Sequence, residues 1–182
     1  MTVDSETTAP TSELGSEGMR DWERVARAAA SAYAAGEGAE ENGLRRELLI
    51  LGLAGSAYAI PVERIREIVR MRALTRVPRA PEWLLGVVTL RGEVVEVVDL
   101  RRRLGLETAP YGRKTRIIVL HGDAEHVTGV LVDSVSEVFR ALESEIAPSA
   151  GLDSVSVVEI CRREDEFVSI LDIDHALGIS NV

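Results

Sequence analysis

The side chains able to carry covalent or metal chemistry are few in this sequence: one cysteine, Cys161, three histidines, His121, His126 and His175, and scattered carboxylates. A catalytic thiol needs a lowered pKa and a neighbouring base. Cys161 lies in an apolar, strand-like run with only Arg162 and Arg163 beside it, which reads as a small buried hydrophobe. The three histidines lack the HExxH spacing of a helical zinc site. His121 and His126 are spaced to flank a hairpin turn and read as exposed turn residues. Asp172 and Asp174 could seed a cation site, but just ahead of a short terminal helix they read as a cap and a surface carboxylate. No GxxxxGK[ST] loop is present, and Gly52 and Gly55 do not extend to a dinucleotide fingerprint. The expectation is a protein with no catalytic residues, no metal and no cofactor.

What remains is recognition by shape and charge. The 182 residues carry 21 basic and 30 acidic side chains, a net charge of -9. Residues 60–119 hold 13 basic and 7 acidic residues, a balance of +6, whereas residues 120–182 hold 3 and 13, a balance of -10. Segregation of this kind suits oriented docking onto charged proteins. The acidic total and the 4% aromatic content argue against a nucleic-acid partner, which needs a basic footprint and stacking rings. A single cysteine rules out an internal disulfide framework. The acidic, polar start is unlike a signal peptide, and no apolar run reaches the roughly 20 residues of a membrane span. A cytoplasmic protein with no direct membrane insertion is expected.

The elements that must position these side chains read as strands. Apolar runs at 48–54, 56–61, 86–90, 94–98, 115–120, 126–132, 135–139, 155–161 and 167–171 are short, aliphatic and punctuated by turn residues. Residues 65–71 fit a strand or a short helix. The runs 86–90 and 94–98, separated by Arg91, Gly92 and Glu93, form a tight hairpin, with Gly92 supplying a positive φ and Gly86 a close backbone approach. Asp99 reads as the N-cap of a short helix stopped at Gly105, and residues 173–177 as a last helix. About ten short strands with few helices predict an all-β sandwich or barrel.

The chain divides near the Gly- and Glu-rich stretch 36–43. Residues 1–46 read as a mostly flexible N-terminal extension, and 47–182 as the folded domain. Within the extension, Trp22, Val25, Ala26, Ala29 and Tyr33 recur at helical spacing, a possible amphipathic helix at about 19–35. It fits a partner-binding or docking helix, or an Ala-rich segment helical only part of the time, since isolated helices of this length are marginal.

WLLGVVTLRGEVVEVVDLRRRLGL (residues 83–106) resembles the signature of the CheW family of bacterial chemosensory adaptors. LLILGLAGSAYAIPVERIREIV (48–69), RALTRVPRAPEWLLG (72–86), GVLVDSVSEVFRALESEIAP (129–148) and ILDIDHAL (170–177) are similar to further segments of that family, in order. The resemblance implies two small five-stranded SH3-like β-barrels sharing a hydrophobic interface. It implies a non-enzymatic scaffold that couples the cytoplasmic tip of a chemoreceptor to the regulatory domain of a CheA-type histidine kinase, cytoplasmic and recruited to membrane-associated receptor arrays. An alternative within the same fold is a binding module of a non-flagellar chemosensory-like pathway, serving surface motility or gene regulation. Glu67 and Arg91 are implied to lie on the partner-binding side as a charge pair, with Ile65 and Ile68 as apolar contacts and Gly86 and Gly92 shaping the hairpin. Two positions depart from the family pattern: Thr89 stands where Asn is usual and Glu96 where Pro is usual.

Overall fold

A computed structural model describes residues 43–121, 127–149 and 156–178. The expected helix at 19–35, most of the extension and His126 lie outside the described residues. Eleven strands are described: β1 (Arg45–Leu53), β2 (Ser56–Pro61), β3 (Ile65–Arg70), β4 (Leu84–Leu90), β5 (Glu93–Asp99), β6 (Arg116–Leu120), β7 (Val127–Val132), β8 (Ser134–Leu142), β9 (Ile146–Pro148), β10 (Val157–Arg163) and β11 (Glu166–Leu171). Two short helices, α1 (Leu100–Arg103) and α2 (Ile173–Leu177), follow β5 and β11.

The strands make two sheets, in the orders β8-β1-β2-β11-β10-β9 and β3-β6-β7-β5-β4. Each closes into a small SH3-like barrel through a chain that bends and pairs on both sides. In the first, β8 pairs with β1, the chain turns through a 3-10 segment (Glu143–Glu145), and β9 pairs with β10. The six strands of this sheet are thus four plus one bent strand counted twice, as β8 and β9, which explains the extra one over the expected five. In the second, the connector after β3 reaches back to β4, where Thr75 and Val87 exchange two backbone hydrogen bonds of 2.9 and 2.8 Å. Residues 65–71, open between strand and helix from sequence, form a strand because they pair with β6 over Ile65–Arg70.

Side chains alternate along the strands, yet both faces are buried. Leu48 and Ile50 of β1 fill the first barrel, with Ala59, Cys161, Val168 and Ile170. Ile117 and Val119 of β6 fill the second, with Val88, Leu90, Val95 and Val97. The intervening residues, Leu49, Leu51 and Leu53 of β1 and Ile118 and Leu120 of β6, meet in a third core between the barrels, joined by Leu100, Leu171 and Ile173. A strand covered on both faces needs apolar residues at every position, which is why these segments read as continuous runs rather than an alternation.

The barrels are also tied by a buried polar cluster. Asp99 caps α1 by accepting from the backbone N–H of Arg101 and Arg102 at 3.1 and 3.4 Å. The Arg101 guanidinium, 3% exposed, lies 3.2 Å from Asp133, donates to the Ala109 carbonyl at 2.7 Å and sits over the Tyr111 ring. The Tyr111 hydroxyl donates to Asp99 at 2.9 Å, and Asp133 accepts from Ala54 N–H in the β1–β2 turn at 2.8 Å. The buried guanidinium is thereby satisfied within the second barrel and by Asp133 of the β7–β8 link, which in turn holds the β1–β2 turn of the first. Helix α1 ends at Arg103 with Leu104 as its C-cap, and Gly105 stops it as expected, at φ 69°.

Two positions give direct tests of this packing. A Cβ on Gly86, at φ 145°, would lie 2.4 Å from the Thr75 carbonyl oxygen, where the second barrel closes. Gly86→Ala is expected to cost at least about 2 kcal/mol in chemical denaturation; a change within about 0.5 kcal/mol, as for a neutral surface site, would contradict it. Cys161 is fully buried, and burial, with the Glu145 charge adding to it, pushes its thiol from 9.0 up to about 12. Above pH 9 the unfolded chain releases this proton and the folded chain keeps it. The thiol's contribution to stability is therefore intact below pH 9 and is lost as pH rises towards 12, by about 1.4 kcal/mol per unit. Cys161→Ala is expected to remove that slope from alkaline unfolding curves, and the native thiol is expected to resist alkylation at neutral pH.

Candidate functional site

The family resemblance pointed to β3 and the turn between β4 and β5, and the fold brings these together. β3 and β4 are the two edges of the second sheet. The turn is only two residues, Arg91 and Gly92, since Leu90 pairs directly with Glu93. Their φ values of 52° and 89° are both positive, which a two-residue hairpin requires to match the twist of its strands. Glycine adopts this freely; arginine does so at a cost. Asn or Gly at position 91 would fit the turn better.

This turn carries Arg91 out into solvent, with 79% of its side chain exposed. Its guanidinium lies 3.1 Å from the carboxylate of Glu67 on β3, which is only 20% exposed. A second pair lies beside it: Arg66 of β3 meets Glu93 of β5 at 2.5 Å. Sequence reasoning missed this one. The signal was present in the repeated order of Arg and Glu, at 66 and 67 and again at 91 and 93. Two adjacent acid–base pairs thus join the free edge of β3 to the tip of the β4–β5 hairpin.

Ile65 and Ile68, expected as neighbouring apolar contacts, differ in role. Ile65 is half-buried against the core between the barrels. Three positions apart on a strand, the two point to opposite faces, and Ile68 is left 40% exposed. Of the pair, only Ile68 offers apolar surface to a partner. Gly92 provides the positive φ and Gly86 the close approach described above. The two family departures also meet: Thr89 faces Val94 and Glu96 faces Val87 across the same hairpin, and Thr89, Val94 and Glu96 are all exposed.

Beyond these pairs arginine predominates. Arg70 and Arg116 are directly opposed across β3 and β6, and Arg72, Arg76 and Arg79 follow in the exposed connector. Among the described residues the second barrel carries thirteen basic against seven acidic side chains, +6. The first barrel with α2 carries five against eleven, -6. On the first barrel the surface charges are largely paired internally, as in Arg46 with Glu143 and Glu159, Arg140 with Glu47, and Arg163 with Glu137.

The residues first examined for chemistry have structural places. Asp172 caps α2 by accepting from His175 N–H at 3.0 Å. Asp174 pairs with Arg64. His121 is exposed at the end of β6. Among the described residues no three His, Cys, Asp or Glu side chains converge as metal ligands, and no helix is long and apolar enough to cross a membrane.

Comparison with known proteins agrees with this arrangement. Residues 47–179 match the CheW-like domain. The chain is 34% identical over 136 residues to the chemotaxis protein CheW of Bacillus subtilis, covering 72% of this chain and 86% of that one. It is 31% identical over 147 residues to the chemotaxis protein CheW of Helicobacter pylori, covering 79% and 88%. The crystal structure of the scaffolding protein TtCheW from Thermoanaerobacter tengcongensis superposes with a TM-score of 0.66 at 26% identity, over 71% of this chain and 90% of that one. Two barrels fused through a common core, closed over a charged hairpin tip and matched along nearly their whole length, place the chain in the CheW family.

Proposed function

We propose that the protein is a non-enzymatic adaptor of a chemosensory array, coupling the cytoplasmic tip of a chemoreceptor to the regulatory domain of a CheA-type histidine kinase. It acts on the cytoplasmic side, recruited to the membrane through its receptor partner. The relatives' names, chemotaxis protein and scaffolding protein, support the class. The shape supports coupling: two barrels of opposite net charge, held as one body, can meet two partners in fixed relative orientation.

The observation that carries the reading to particular residues is Arg91. It sits in a strained backbone conformation, at an exposed tip, where a turn-forming residue would be more comfortable. Glu67 holds the guanidinium from one side and leaves most of the planar fork facing solvent, ready for a partner's carboxylate. Ile68 supplies adjacent apolar surface. Gly86 and Gly92 act through the backbone, fixing where the tip stands.

Stability and binding should separate at this pair. An ion pair this exposed contributes about 0–1 kcal/mol, and the turn strain offsets part of that. Arg91→Asn is therefore expected to leave the unfolding midpoint unchanged or slightly raised. Arg91→Glu is expected to keep the circular dichroism spectrum and to weaken binding of the kinase regulatory domain or the receptor tip at least about tenfold in calorimetry. Full-strength binding of both partners by Arg91→Glu, or its unfolding, would make the pair a purely structural one.

A further inference from the structure

We propose that the N-terminal segment around residues 22–33 folds back and seats its apolar stripe in the open cleft between the first barrel and the chain that follows α1. The cleft has a volume of about 720 Å³ and is lined by Tyr58, Leu104, Leu106, Val157 and Phe167. Tyr58, Leu104 and Leu106 pack from its floor onto the core between the barrels. Tyr58 and Phe167 are two of the five aromatic residues that the chain has outside its first 42 positions.

The occupant is argued from the sequence that precedes β1. In a chain with seven aromatics, Trp22 and Tyr33 both fall in the extension, on the same helical stripe as Val25, Ala26 and Ala29. A helix of this length is marginal alone and gains its stability from burying such a stripe. Charge agrees with the placement. The only basic residues before Arg45 are Arg24 and Arg27 within this segment and Arg20 just ahead of it, against Asp21 and Glu23 at its start. The cleft is rimmed by Asp165 and Glu166, neither of which has an ion pair among the described residues.

Reach permits it. The extension joins β1 at Arg45, and the cleft lies by Gly55 and Ser56 at the other end of that nine-residue strand. The strand spans roughly 30 Å. The ten residues 34–43 extend to roughly 33–36 Å, so the segment reaches the cleft of its own chain. The cleft is lined by different residues from the hairpin tip at Arg91, so this docking stands independently of the proposed function.

The test isolates Trp22 in the full chain with Trp83→Phe, which keeps a ring against Arg103 and leaves Trp22 as the sole tryptophan. Emission maximum and acrylamide quenching are read at several protein concentrations. The expected result is blue-shifted emission and quenching several-fold weaker than in the denatured chain, independent of concentration. Val25→Glu with Ala29→Glu should abolish this protection, as should Leu106→Glu in the cleft. Ser56→Arg, at the exposed rim, serves as a second cleft variant, and only variants keeping the parental circular dichroism are scored. Trp22 as accessible as in the denatured chain would overturn the proposal. Protection that survives a folded cleft variant would place the segment elsewhere and overturn it too. Protection that grows with concentration would assign the cleft to a second copy and equally overturn it.

Discussion

The structure depends on one packing constraint: the strands between the two barrels are covered on both faces. β1, β6 and β7 each send alternate side chains into a barrel interior and the others into the common core, where Leu49, Leu51, Ile118, Val130 and Leu100 meet. Neither barrel could expose that second face to water without a large apolar penalty. The two are therefore halves of one packed body, not beads on a string. The buried cluster of Asp99, Arg101, Tyr111 and Asp133 adds a polar lock across the same junction. Asp133, in the link between β7 and β8, joins it to the first barrel through Ala54.

Rigidity at the centre sets the geometry at the edge. The second barrel closes where Thr75 meets Val87 and where Gly86 leaves room for a carbonyl. This closure brings the edge of β3 against the β4–β5 hairpin, and the two acid–base pairs align across the gap. A single strained residue at the tip then points a guanidinium outward. The opposite net charges of the barrels give each end a different electrostatic character, so the body as a whole has direction. An adaptor needs this: two distinguishable faces at a fixed separation.

Much of this was legible in the residues and some was not. The tight hairpin at Arg91-Gly92, though not that Glu93 already belongs to its second strand, the caps at Asp99 and Asp172 and the buried state of Cys161 followed from local chemistry, because each depends on near neighbours in sequence. The continuous runs at 48–53 and 117–120 announced burial on both faces, but not which face met which barrel. That depends on pairings far apart in the chain, such as β1 with β8 and β5 with β7. The three-residue β9 carries no periodic signal of its own and exists only because β10 offers it an edge. Asp99 was legible as a cap but not as the partner of Tyr111, and Ile68 could not be told from Ile65 while residues 65–71 stood open between a helix, which puts the two on one face, and a strand, which puts them on opposite faces.

The central claim is that one rigid body holds two partners at once, and a bridging experiment tests it most directly. A fragment carrying the chemoreceptor tip is immobilised, and the kinase regulatory domain is passed over it with and without the full chain. The account predicts that the regulatory domain is retained through this chain, in proportion to the chain bound. Retention unchanged by the chain, or displacement of one partner as the other binds, would contradict it.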